Sequence, residues 1–324
     1  MPNAAASLGV NFGSLFMAPR VAPGLAAQQV AALPVGRAKT FSYRGDDLAF
    51  IRAAASIGLR LAVGVPNDQL ERLARGDTRD LVEAIAPSAG AIDFLSVGNE
   101  PLDPMYGGAH DGRLVPAMQA VQAALRQTGL RIGVTCAHSY GIMATSYPPS
   151  AGALDPARRE IVRATCAVAQ ATGAPFLVTL YPFLAYLSAP AEIPLDYCLF
   201  TMPAERAVAD GTYRYGTLFD AMHDALAVAL GRVGFPDLDI VVGETGWPTE
   251  GAAAATIANA RLFNQGLIDH SRSGAGTPRR PGRPVVAYLF EMYDEANKPP
   301  LPGPFESAWG LFNSALQPKY PLGW

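Results

Sequence analysis

Charge is scarce in this chain. Only 16% of its 324 residues are Asp, Glu, Lys or Arg, and half are hydrophobic. That balance excludes a disordered, charge-rich chain and points to a large buried core. The net charge is −3 and no five basic residues run together, so a nucleic-acid surface has no electrostatic footing. No apolar stretch reaches the roughly 18 residues that a membrane-spanning helix needs. Residues Met1 to Ser7 lack the basic segment and apolar run of a signal peptide, which leaves an intracellular protein or one whose leader has been removed. Three widely spaced cysteines, Cys136, Cys166 and Cys198, make neither a disulfide framework nor a zinc site and read as core thiols. The four histidines are scattered without metal-ligand spacing. Phosphate loops and the Gly-x-Ser-x-Gly elbow are missing. With no internal repeat and no Gly/Ser-rich linker, residues 1–324 read as a single domain.

What is present is alternation. Apolar runs of strand length at Leu8–Phe12, Ala38–Tyr43, Leu59–Val65, Ile92–Val97, Leu130–Cys136, Phe176–Leu180, Asp239–Gly243 and Val285–Phe290 make eight strands, most followed by a helical stretch. A short extra strand is expected at Asp196–Phe200. Alternation alone also fits a doubly wound α/β sheet. The closed (β/α)8 barrel is favoured because polar residues gather just past the strand C-termini, the face on which such barrels build their sites.

Two of those strand ends carry a carboxylate: Val97-Gly98-Asn99-Glu100 and Gly243-Glu244-Thr245-Gly246-Trp247-Pro248. One such glutamate is an ordinary polar cap. Two on one rim, each near a glycine that lets the backbone come close, are the paired carboxylates that glycosidic-bond cleavage uses. A separation of about 5–5.5 Å would make one the nucleophile and the other the acid/base. Their pKa values must then differ, the acid keeping its proton beside an ionised neighbour. Phe12, Tyr181, Phe183, Tyr186, Trp247 and Tyr293 fall at or near strand ends and together suggest a groove for pyranose faces, although each singly is more often core filling than ligand platform. The cluster Arg279-Arg280-Pro281-Gly282-Arg283 reads as a solvated loop.

These pieces closely resemble the plant-type β-1,3-glucanases of glycoside hydrolase family 17. The resemblance runs from Leu8-Gly9-Val10-Asn11-Phe12-Gly13 to Gln317-Pro318-Lys319-Tyr320-Pro321-Leu322. It takes in Tyr181-Pro182-Phe183, Leu218-Phe219-Asp220-Ala221 and Trp309-Gly310-Leu311-Phe312. It implies a retaining (β/α)8 enzyme with Glu100 as acid/base and Glu244 as nucleophile. Glu295, Lys298 and Glu306 would form a charged network that orients the nucleophile and holds sugar hydroxyls, and Asn99 would bond the 2-hydroxyl. The chain departs from the family pattern in four places. Phe12 stands where many members have tyrosine. The acidic residue past the second strand is missing unless Asp46 or Asp47 substitutes. Cys136-Ala137-His138-Ser139 replaces the usual loop after strand five, and Glu291 is an extra carboxylate close to the site.

The implied activity is endo-hydrolysis of β-1,3-glucan by a monomer. No metal or organic cofactor is expected, because carboxylates supply both nucleophile and proton transfer. The implied partner is the β-glucan polysaccharide, and the implied location is secreted, in the cell wall or vacuole. A β-glucan transglycosylase, a mixed-linkage (1,3;1,4) glucanase and a catalytically poor wall-glucan-binding protein stay open as alternatives.

Overall fold

The computed structural model describes residues 7–324. Its eight main strands are β1 (Leu8–Phe12), β2 (Arg37–Thr40), β3 (Arg60–Val65), β4 (Ile92–Asn99), β5 (Gly133–Ser139), β6 (Phe176–Thr179), β7 (Ile240–Thr245) and β8 (Val286–Leu289). They close into one barrel in chain order, with β8 pairing back onto β1 and every neighbouring pair parallel. Parallel neighbours need crossover connections, and helices supply most of them. These are α1 (Pro23–Ala32), α2 (Gly45–Ser56), α3 (Leu70–Ala74), α4 (Arg79–Ile85), α5 (Asp111–Gln127), α6 (Arg159–Thr172), α7 (Pro182–Ser188), α8 (Leu195–Cys198), α9 (Leu218–Arg232) and α10 (Ile257–Ser273). The long ones start and stop where local chemistry directs. Thr217 and Thr256 accept the Asp220 and Asn259 N–H groups at the starts of α9 and α10, and the left-handed Gly173 and Gly274 end α6 and α10.

Residues from strands on opposite sides of the barrel can touch only through its interior. Ala62, Phe94, Leu177, Val241 and Tyr288, from β3, β4, β6, β7 and β8, form one buried cluster there, so the barrel is plugged with side chains. A Cβ on Gly9 would lie 2.4 Å from the Tyr288 ring, which makes that glycine a condition of the plug. Around the barrel, a second and larger apolar cluster joins the outer strand faces to the helices. Among the described residues no helix is long and apolar enough to cross a membrane, and all three cysteines are free and buried.

Two expectations need correction. Asp196–Phe200 does not form a strand: Pro194 starts a turn of helix, α8, and Phe200 ends the segment with a φ of +61°. Tyr197 is buried and Phe200 is half-buried against Phe219 and Phe263, and neither has a ladder partner. The strand pair in this region lies further on, at Val208–Asp210 and Tyr213–Tyr215, where Asp210 pairs Tyr213 around a two-residue turn opened by the left-handed Gly211. Strand β5 also runs through Ser139, so Cys136-Ala137-His138-Ser139 is barrel wall and not loop.

Candidate active site

The ends of β4 and β7 are both irregular, and the irregularity sets where their side chains point. Register slips between Ser96 and Asn99 on β4 and between Val242 and Glu244 on β7, as β-bulges do where a side chain is re-aimed. Gly98 and Glu100 both have positive φ, +87° and +50°. Gly243 has no room for a side chain, because a Cβ there would stand 2.8 Å from Leu177. The Glu100 N–H donates to Ala137 of β5 at 2.8 Å, and the Glu244 carbonyl accepts from Leu180 at 2.9 Å.

Glu244 is 6% exposed. Its carboxylate accepts from Lys39 Nζ and from the Tyr181 hydroxyl, each at 3.0 Å. Lys39 comes from β2, so the salt bridge crosses the barrel interior above the plug. The lysine is only 1% exposed, and its ammonium rests 3.8 Å from the centre of the Phe41 ring, where the ring quadrupole favours a cation. A buried carboxylate is tolerable when a buried cation and a second donor compensate it.

Glu100 meets the opposite conditions. Burial and then the nearby Glu244 charge push its pKa up to about 7, against the pull of a hydrogen bond that the Thr179 hydroxyl donates to it. One group therefore sits beside a cation and the other keeps its proton near neutrality. That is the division of labour a nucleophile and a general acid require.

Past β8 a second charged layer flanks the pair. Lys298 Nζ bridges Glu295 at 3.0 Å and Glu306 at 3.1 Å and lies 4.6 Å from the centre of the Phe290 ring. Burial opposes the charge on Lys298, but Glu291, Glu295 and Glu306 outweigh it and hold its pKa above lysine's usual value. Glu291 is almost fully buried, with one oxygen lacking a hydrogen-bond partner. Burial first, then the Glu295 charge and a hydrogen bond between the two, hold its pKa well above the carboxylate range. Burial also raises Glu306, against the pull of Lys298.

The aromatic residues divide. Tyr181 and Tyr186 keep partial exposure. Phe12, Phe183, Trp247 and Tyr293 do not, each being at most 2% exposed. Phe12 stacks on Phe50 of α2 with ring centres 4.1 Å apart. Phe183 packs edge-on against Trp247 and Phe305, and Trp247 donates its N–H to the Ala254 carbonyl at 2.8 Å. These rings form the packed support beneath the rim and present no face to a sugar, which corrects the groove expected of them.

Neither Asp46 nor Asp47 stands in for the missing acid after β2. Asp47 is buried and accepts the Ser14 N–H at 3.1 Å, and Asp46 pairs with the exposed Arg20. From β2 the site receives a cation, Lys39, which sequence reasoning missed along with Thr179. Its one signal was a lysine inside an apolar strand. Asn99 lies at the mouth of the barrel at the end of β4, partly exposed. Among the described residues no group of three or more His, Cys, Asp or Glu could hold a metal ion.

The profile of glycosyl hydrolases family 17 matches residues 30–324. Glucan endo-1,3-beta-glucosidase 5 of Arabidopsis thaliana is 32% identical over 325 residues, spanning 97% of this chain; the chain spans 66% of that relative, just under two thirds of its length. Lichenase-2 of Hordeum vulgare is 35% identical over 326 residues and 99% of both chains. Among solved structures, CJP38, a beta-1,3-glucanase and allergen of Cryptomeria japonica pollen, superposes with a TM-score of 0.89 at 34% identity over 98% of each chain.

Proposed function

The chain belongs to the glycosyl hydrolases of family 17 and is a glycoside hydrolase; we propose that it cleaves internal β-1,3-glucosidic bonds of β-glucan with retention at the anomeric carbon. The contrast between the two glutamates carries this proposal. Glu244 has Lys39 and Tyr181 on its oxygens, while Glu100 keeps a proton up to about pH 7 because it is buried next to Glu244.

In the first step a Glu244 oxygen attacks C1, the bond from C1 to the leaving sugar's oxygen breaks, and Glu100 gives that oxygen its proton. The resulting ester removes the Glu244 charge that had opposed ionisation of Glu100. Glu100 then takes a proton from water as the water oxygen displaces Glu244 at C1. Asn99, Glu295, Lys298 and Glu306 hold sugar hydroxyls near the scissile bond, and Glu291 keeps Glu295 in place by a shared proton. The enzyme works as a monomer outside the cell or in the vacuole.

A mixed-linkage (1,3;1,4) preference is the second reading, favoured by the likeness to Lichenase-2 across nearly the whole chain. Reducing-end release from laminarin and from lichenan, by wild type, Glu244→Ala and Glu100→Gln, tests both. Cleavage by the wild type and near-complete loss in both variants are expected, and the faster substrate sets the linkage. Products longer than the starting glucan would assign transfer in place of hydrolysis. A wild type that binds both glucans and cuts neither would sink the proposal in favour of a binding protein.

A further inference from the structure

Beyond the last β3–β4 rung, Val65 with Val97, the two strands part. Pro66 turns the chain out of β3 into the helical turn that begins at Asn67. The Asn67 side chain then bridges the gap that the backbone leaves: its Nδ2 donates to the Asn99 carbonyl at 2.8 Å and its Oδ1 accepts the Asn99 N–H at 2.9 Å. A side-chain amide has the donor and acceptor of a peptide group, so the pair adds one more rung to the ladder. The contact is tight, since a Cβ on Gly98 would fall 3.2 Å from Asn67 Oδ1.

The clamped residue, Asn99, lies between two left-handed residues, Gly98 and Glu100. Glycine adopts that conformation readily, but glutamate does not. Glu100 holds it here because its backbone is tied on both sides. Its N–H is bound to Ala137 of β5, and the residue before it is fixed to the β3 side by Asn67. We propose that Asn67 is a positioning residue for the general acid, setting the direction of the Glu100 side chain through the main chain of Asn99. The inference rests on the assignment of Glu100 as the acid.

Only asparagine combines this reach with one donor and one acceptor. Aspartate keeps the acceptor but turns the donor into a charge facing a carbonyl; alanine loses both. The hydrogen-bond partners of the Glu244 carboxylate, Lys39 and Tyr181, come from β2 and from the start of α7, so the clamp acts on one of the two glutamates.

That asymmetry supplies the test. Bond cleavage in laminarin needs a proton on the leaving oxygen, whereas dinitrophenolate leaves without one. kcat/KM, which reports the step up to bond cleavage, is measured on laminarin and on 2,4-dinitrophenyl β-laminaribioside for wild type, Asn67→Ala, Asn67→Asp and Glu100→Gln. The expected result is a fall of about 10²-fold on laminarin for both Asn67 variants, the size of effect a misplaced catalytic group produces, with the activated substrate cleaved nearly as well as by wild type. An equal fall on both substrates, or none on either, would overturn the inference, as would failure of both variants to fold. An equal fall on both substrates for Glu100→Gln itself would overturn the acid assignment, and the inference with it.

Discussion

Replacing Glu100 by glutamine should stabilise the protein while it abolishes turnover of laminarin. Burial and the Glu244 charge raise the Glu100 pKa from 4.5 to about 7 in the folded state, and unfolding returns it to the ordinary value. Between those values the folded chain holds a proton that the unfolded chain has released. Stability must therefore fall as pH rises through this window. The penalty is absent below about pH 4.5 and complete above about pH 7. Each tenfold difference in proton affinity between the two states is worth about 1.4 kcal/mol, so the full effect is about 3 kcal/mol.

Glutamine is uncharged and nearly isosteric, and its amide can still meet the Thr179 hydroxyl, so it escapes the penalty. Equilibrium urea unfolding, followed by the fluorescence of the buried Trp247 and Trp309, gives the difference at each pH. The Glu100→Gln advantage should be near zero at the acid end of the window and reach about 3 kcal/mol at its alkaline end. In parallel, wild-type kcat/KM on laminarin should fall on the alkaline side with an apparent pKa close to 7. A stability difference that stays flat, or shrinks as pH rises, would refute the reasoning and remove the ground for Glu100 as the proton donor.

Lys39→Met should lower kcat by at least about 10²-fold and cost about 3–5 kcal/mol, because it leaves the Glu244 carboxylate buried without its cation; kinetics and urea unfolding check it, and wild-type values would refute it. Lys39→Arg should recover part of the stability but less of the rate, since it keeps the charge but replaces a compact ammonium with a planar guanidinium. Tyr181→Phe removes one donor to Glu244 and keeps the ring packing on Trp309 and Phe290. It should reduce kcat about tenfold, near the worth of a hydrogen bond to a charged group, and lower the melting temperature by less than Lys39→Met does, because the cation stays on Glu244; kinetics and thermal unfolding check it. Trp247→Phe should lower the melting temperature and leave KM for laminarin unchanged; a raised KM with intact stability would put that ring back in the substrate groove.

The sequence carried the barrel and the two glutamates because both are written in neighbouring residues. A strand of apolar residues that stops at a glycine and a carboxylate is visible within six or seven positions, and the Val-Gly-Asn-Glu and Gly-Glu-Thr-Gly segments are such places. Lys39 was not legible, for its partner Glu244 lies 205 positions away and a lysine in a short strand looks like an exposed edge. The aromatic residues show the same limit. Their positions near strand ends are local, but which side of the wall each ring takes depends on helices far along the chain, and α2 draws Phe12 to the outer face of the barrel, against Phe50. The missed hairpin was a different failure. Asp210-Gly211 is an ordinary local turn signal, but the strands on either side of it are three residues each, too short to show an alternating pattern.

The left-handed backbone at position 100 bears on how such a site survives over many generations. A glutamate there costs about 1–2 kcal/mol of conformation relative to glycine, and its buried carboxyl adds a pH-dependent cost of its own. By stability alone, glycine at this position would relieve both costs and an uncharged side chain would relieve the second. Random substitution therefore pushes against this residue, and a lineage that no longer used the proton would shed it early. Its presence here, with the clamp that holds it still intact, is what a chain under selection for turnover would retain and what a mere glucan-holding scaffold would have no reason to keep.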